Sequence, residues 1–253
     1  MAKIYAGTSG WAYSTWKPKF YPAKLGAAGF LEYYASRLNS VEVNYTFRTV
    51  PSKELLQGWM EQTPAHFKFA IKAHQTITHF KRLRGTARAT SKFINTFEPL
   101  RKAKKLGPVL FQLPPNFKCD LPLLKNFLTG LPRGLRYAFE FRHASWFTEE
   151  VFAVLRKAHV ALCWAESDML DTPHVQTSGF FYLRMRKETY SARAIGKLRR
   201  LVRELARQGD VFVYFKHEDA PDGASSCLKY TNTSPLRASS RTLRRSLPIA
   251  RAE

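Results

Sequence analysis

Short runs of β-branched and aromatic residues recur along the chain, and between them apolar residues return every three or four positions. The runs at 4–7, 40–44 ("SVEVN"), 67–73 ("FKFAIKA"), 108–113 ("PVLFQL"), 137–142 ("YAFEFR"), 161–165 ("ALCWA"), 180–185 ("FFYLRM") and 211–216 ("VFVYFK") predict eight strands. The intervening stretches 27–38 ("AAGFLEYYASRL"), 52–62 ("SKELLQGWMEQ"), 148–160 ("TEEVFAVLRKAHV") and 190–210 ("YSARAIGKLRRLVRELARQGD") carry helical spacing. Ser52 is placed to cap its helix, and Thr148 precedes two acids in a segment that ends in Arg156 and Lys157, the order a helix dipole favours. Gly209 is expected to terminate the last of these helices. The connection 73–107 is long and carries "HQTITHFKRLRGTARATSK", the layout of a lid or binding loop.

Alternating β and α units predict a parallel sheet, and eight strands in 253 residues predict a single TIM-type (β/α)8 barrel. A doubly wound open sheet is the rival fold. It is weakened because no GxGxxG follows the first strand. The barrel is expected over 1–223, with an atypical or missing final helix. The segment 224–253 is rich in Ser and Arg and lacks apolar periodicity, so it is expected to be a poorly ordered tail.

Side chains alternate in direction along a strand. Val41 and Val43 oppose Ser40, Glu42 and Asn44; Phe139 and Phe141 oppose Ala138, Glu140 and Arg142; Phe181 and Leu183 oppose Tyr182 and Arg184. The apolar face should pack on the helices and the mixed face should line the barrel. Its polar members fall at strand C-terminal ends, where barrel enzymes carry their sites. The expected mouth therefore holds Glu42, Asn44, Lys72, His74, Gln112, Glu140, Arg142, Arg184 and Lys216. Loop groups His143, Glu166, Asp168, Arg186, His217, Glu218 and Asp219 follow.

Two chemistries fit this set. Arg142, Arg184, Lys72 and Lys216 suit a phosphate or carboxylate, with Asn44, His74, Gln112 and His217 as further ligand contacts. Glu42 and Glu140 suit general acid and base work if their environments drive their pKa values apart, with His143 assisting proton movement. Trp11, in the turn after the first strand, is placed either to stack on a ligand or to plug the barrel top. The competing structural reading is an internal salt-bridge lattice, Glu140 with Arg142 or Lys72 and Glu42 with Arg184. A divalent metal on the acids with His74, His143 and His217 is not favoured, because the neighbouring cations would repel it and no HExxH spacing exists. No GxSxG elbow or P-loop is present.

Composition adds partners to this picture. Net charge is +22, a field that draws small anions and polyanions alike, so nucleic acid is a second candidate partner. Three widely spaced cysteines without a CxxC pair fit a reducing cytoplasm. No stretch has the length and apolarity of a membrane span, and the N-terminus lacks the basic-then-apolar layout of a signal peptide.

With these residues assembled, the sequence resembles the YecE-like barrels, domain of unknown function family 72. The motifs are "GTSGWAYSTWKPKFYP", "VEVNYTF", "FKFAIKAHQTITHFKRL", "LGPVLFQLPPNF", "AFEFRHASWF" and "VFVYFKHED", in family order over roughly residues 4–223. The resemblance implies a TIM-type barrel and no reaction. It also implies a closing helix after "HED", where "SSCLKYTNTSPLRASSRTLRR" does not read as one. Three function classes follow: an enzyme acting on a small phosphorylated or otherwise anionic substrate by hydrolysis or isomerisation, a nucleic-acid-binding or nucleic-acid-processing protein, and a noncatalytic ligand sensor or scaffold.

Overall fold

The computed structural model describes residues 2–166, 170, 172–187, 190–216 and 227. Eight parallel strands form the sheet: Ile4–Thr8 (β1), Ser40–Val43 (β2), Lys68–Lys72 (β3), Leu106–Gln112 (β4), Tyr137–Glu140 (β5), Ala161–Glu166 (β6), Phe180–Met185 (β7) and Asp210–Phe215 (β8). Their order is β1-β8-β7-β6-β5-β4-β3-β2. β1 and β2 lie side by side at its two ends, so the sheet nearly closes into a TIM-type barrel.

The alternation read from the sequence sets the two faces. Val41, Val43, Phe69, Ile71, Phe139, Phe181, Leu183 and Val213 join one buried cluster with the helices. Ala70, Leu110, Ala138, Cys163, Tyr182, Tyr214, Tyr5 and Phe212 form a second cluster inside the barrel. Small alanines on β3, β5 and β6 leave room for the large rings from β7 and β8, which is how a narrow barrel fills without a pore.

Side chains stitch the seam between β1 and β2. The Asn39 amide imitates a peptide unit: its Oδ1 accepts from the Ala6 N–H at 2.8 Å and its Nδ2 donates to the Ile4 carbonyl at 2.9 Å. One turn higher, the Tyr34 hydroxyl accepts from the Thr8 N–H at 2.8 Å and donates to the Ser40 carbonyl at 3.0 Å. Gly7 permits this approach, since a Cβ there would lie 1.9 Å from the Ser40 carbonyl oxygen.

Among the described residues the helices are Phe30–Ala35 (α1), Lys53–Glu61 (α2), Ala87–Thr96 (α3), Glu98–Lys102 (α4), Leu121–Thr129 (α5), Glu149–Lys157 (α6) and Ala192–Leu205 (α7). Ser52 caps α2 by accepting from the Leu55 N–H, and Thr148 caps α6 by accepting from the Val151 N–H. α7 ends at Leu205 with Ala206 as its cap, so Gly209 is not the C-cap that its position suggests. Gly209 instead lets the chain pass β7, where a Cβ would sit 2.2 Å from the Gly179 carbonyl oxygen. The long β3–β4 connection folds down as a π turn (Thr76–Phe80) followed by α3 and α4, with Ile77, Thr78, Leu83 and Thr86 buried beneath it. Between β6 and β7 no helix occurs among the described residues. There the Thr177 hydroxyl accepts from the Leu162 N–H, and His174 stacks on Trp164 at 4.5 Å, so an extended segment covers β6 in place of a helix.

His217, Asp168, Glu218, Asp219 and the 224–253 segment lie outside the described residues, apart from Cys227, which is helical and buried. Among the described residues no helix is long and apolar enough to cross a membrane.

Candidate functional site at the barrel mouth

The inward positions at the C-terminal ends of the strands converge on one guanidinium. Arg184, near the end of β7, is completely buried. Its Nη2 donates to Glu42 Oε1 at 2.7 Å, and its Nη1 donates to Glu140 Oε2. Glu42 stands on β2 and Glu140 on β5, so Arg184 crosses the barrel to hold both carboxylates. Their remaining oxygens are also satisfied. Tyr182, one inward step below Arg184, donates to Glu42 Oε2 at 2.7 Å. Gln112, opposite Glu140 in the β4–β5 register, donates to Glu140 Oε1 at 2.9 Å. Burial acts to raise the Glu42 pKa, but the Arg184 guanidinium and the Tyr182 and Ser9 hydroxyls outweigh it and hold the carboxyl below its ordinary range. Arg184 loses solvation, and the two carboxylates more than compensate, so it stays protonated.

The salt-bridge lattice anticipated from the sequence therefore forms, with different partners. Glu42 pairs with Arg184 as expected, whereas Glu140 pairs with Arg184 and not with Arg142 or Lys72. This leaves Lys72 and Arg142 without an acidic side chain at ion-pair distance among the described residues. Lys72 is half-buried, with its Nζ over the Phe47 ring at 4.3 Å. Burial first, and then repulsion from Arg184, lower its pKa to about 8 against the pull of Glu42 and Glu140. Arg142 is exposed at the end of the β5 segment. Arg186 stands 4.0 Å from Glu42 and reaches the Ser9 hydroxyl at 3.5 Å. Among the described residues, two buried polar atoms at this level have no hydrogen-bond partner, Arg184 Nε and Asn44 Oδ1.

Other expected residues take positions around this centre. The Asn44 Nδ2 donates to the Ser9 carbonyl at 3.2 Å. His74 braces two loops: its Nδ1 accepts from the Thr76 N–H at 3.2 Å, which leaves Nε2 to donate to the Arg48 carbonyl at 3.1 Å. His143 Nδ1 accepts from the Ser145 N–H and so caps the turn after β5. Trp11 is half-buried and meets Trp59 edge-on at 5.5 Å, joining the barrel top to α2. Lys216 is half-buried at the end of β8, its N–H bonded to the Met185 carbonyl. Glu166 points away from the barrel axis, pairing with Lys187 at 2.5 Å and accepting from the Tyr190 hydroxyl.

Three groups at the mouth were not singled out as site residues. Tyr182 belongs to the inward stripe but reads as core. Phe47 supplies the ring under Lys72. His79 meets the same ring edge-on at 4.8 Å, and burial followed by Lys72 and Arg142 lowers its pKa. It sits six residues past the end of the 67–73 strand-like run, in a connection whose path no local pattern shows, although the "THF" lies inside a quoted family motif.

The family described as "Protein of unknown function DUF72" matches residues 5–246. The chain is 35% identical to UPF0759 protein YecE of Escherichia coli K12 over 147 residues, 58% of this chain and 51% of that protein. It is 28% identical to UPF0759 protein YunF of Bacillus subtilis 168 over 182 residues, 68% of this chain and 62% of that one. The matches thus span about half to three-fifths of those relatives' lengths. A crystal structure of a DUF72 family protein from Thermotoga maritima superimposes with a TM-score of 0.81 at 27% identity, covering 91% of this chain and 98% of the other. Family match, relatives and barrel agree, and the chain belongs to the DUF72 family.

Proposed function

We propose that the barrel mouth binds a small anion of the phosphomonoester or carboxylate type and acts on it by proton transfer. The observation that carries this reading is the division of charge at the mouth: Arg184 engages both carboxylates, so Lys72 and Arg142 keep positive charge without an acidic ion-pair partner among the described residues. A cation so placed favours an incoming anion, and the planar guanidinium of Arg142 suits two oxygens at once. Glu42, held ionised, serves to position Arg184. The proton-carrying role falls to Glu140, the slightly less enclosed of the two carboxylates, which would take its proton on Oε1 by giving up the Gln112 bond while Arg184 keeps Oε2.

Thermal denaturation with phosphate and sugar phosphates tests the reading. At 100 times its dissociation constant a ligand adds about 2.7 kcal/mol, a rise of roughly 5–10 °C in Tm for a chain of this size. Arg142→Ala is expected to abolish the shift and leave the unliganded Tm unchanged, because Arg142 is exposed. A shift that persists in Arg142→Ala places the anion elsewhere. A shift with no turnover of any phosphorylated substrate favours a sensor over an enzyme.

A second reading, nucleic-acid binding, is favoured by Phe80. Its ring is 70% exposed at the start of a basic loop containing Lys81, Arg82 and Arg84. An exposed ring among cations is the layout that stacks a base while neighbouring charges meet phosphates.

A further inference from the structure

We propose that Lys72 is a carbonyl-reactive amine, adding through its Nζ to an anionic aldehyde or ketone drawn to the mouth by Arg142 and forming a Schiff base with it. The ligand's negative charge rests on the anion reading above; the reactivity of the amine does not.

The geometry supplies what such a lysine needs. β3 ends at Lys72 with its side chain on the inward face, in register with Leu110 of the inner cluster. Lysines seldom remain free at a charged centre, because a nearby carboxylate claims the ammonium and holds its proton. Here both carboxylates are already taken by Arg184, and neither lies at ion-pair distance from Lys72. Phe47 covers one side of the ammonium; its ring face favours the charged form modestly, but unlike a carboxylate it accepts no proton. The side chain is half-buried at the C-terminal end of β3, so it is not sealed into the core. Burial and the neighbouring guanidinium bring the free amine within reach near pH 8. His79 meets the same phenyl ring edge-on, and burial and the surrounding cations disfavour its protonation, so an imidazole that favours its neutral form shares that ring with the amine.

In the step itself the Nζ lone pair attacks the carbonyl carbon, and the C=O π pair moves to oxygen. One nitrogen-bound proton passes to that oxygen, giving a carbinolamine. The C–O bond then breaks as the second nitrogen-bound proton leaves with the hydroxyl as water, and the C=N bond forms. No oxidant or reductant is consumed.

The test uses pyridoxal 5′-phosphate, an aldehyde with a phosphate, and pyridoxal, the same aldehyde without it, each with cyanoborohydride to fix the imine as a secondary amine. Peptide mapping by mass spectrometry then reads the modification at every lysine. An amine with a pKa near 8 holds roughly a hundredfold more free base at pH 8 than an ordinary lysine, and lower intrinsic nucleophilicity offsets part of this. Lys72 is therefore expected to label roughly tenfold faster than the median lysine, with a rate that climbs through pH 8 and not through pH 10. Pyridoxal closes on its own 5′-hydroxyl and labels all lysines more slowly, so the rate advantage of the phosphorylated aldehyde is compared with that at the median lysine: it should be larger at Lys72, and Arg142→Ala should remove the excess. Labelling of Lys72 at or below the median overturns the proposal, and does so even if phosphate still raises Tm and the anion reading stands. Rapid labelling of Lys72 with no greater preference for the phosphorylated aldehyde than the median lysine shows supports the amine and overturns the anion reading of the mouth.

Discussion

Arg184 is the side chain on which the mouth depends most. It is fully buried, and so is Glu42, while Glu140 is almost so. Taking three charges out of water is costly, and they persist because each oxygen of both carboxylates has a donor. Removing Arg184 leaves two buried anions facing each other. Arg184→Met is expected to lower stability at pH 7 by about 3–5 kcal/mol, measured by urea denaturation. The pH dependence should also change sign. In the parent protein the Glu42 pKa is lower folded than unfolded. Its contribution is therefore present above the ordinary carboxylate range and is lost as pH falls through the folded value. In Arg184→Met the unpaired carboxylates take up protons more readily folded than unfolded, so stability should rise as pH is lowered from 7 towards 5. A variant that loses stability over that interval would show that the carboxylates have other partners. Of these three residues, types and inward direction were legible from period-two alternation. Their pairing was not: Arg184 lies 142 positions from Glu42 and 44 from Glu140, and no local pattern links them.

At the level of elements, strands were the more legible class. All eight begin and end within two residues of the runs read from the sequence, because alternation and β-branched composition are local signals. Helices were less so. α5 was not singled out, although Asp120 accepts from the Leu123 N–H as an N-cap and Pro122 sits in the first turn. The β6–β7 connection lacks a helix among the described residues, and Gly209 serves strand approach in place of capping. Least visible of all was the closure of the barrel. Asn39 reads as an ordinary loop residue, yet it satisfies one donor and one acceptor of β1. Asn39→Ala is expected to cost about 2–3 kcal/mol, since it leaves the Ala6 N–H and the Ile4 carbonyl without partners. Amide exchange at Ala6 should accelerate more than exchange in the β7–β8 ladder; equal protection before and after substitution would mean that the seam is held by other contacts.

For the whole molecule, net charge is +22, and the basic residues of the described part cover a surface that includes the mouth, the Phe80 loop and the basic face of α7. A small anion at the mouth and a polyanion on the surface respond differently to salt. If the Phe80 surface binds nucleic acid, the affinity for a fluorescent single-stranded oligonucleotide should fall steeply between roughly 50 and 200 mM salt. Phe80→Ala should then cost about 1–3 kcal/mol of binding, with Arg142→Ala near neutral. Binding weakened by Arg142→Ala and indifferent to Phe80→Ala would instead locate the polyanion at the mouth.

The sequence by itself determined the strands, the direction in which their side chains face and the end of the barrel where charge collects. Each of these follows from spacing along a few consecutive residues. Only the tertiary structure decided which charges neutralise one another, which polar side chains close β1 against β2, and that Lys72 and Arg142 are left over. Those outcomes depend on distances across a closed sheet. Such distances are set by the register of all eight strands at once, so no segment of the chain contains them.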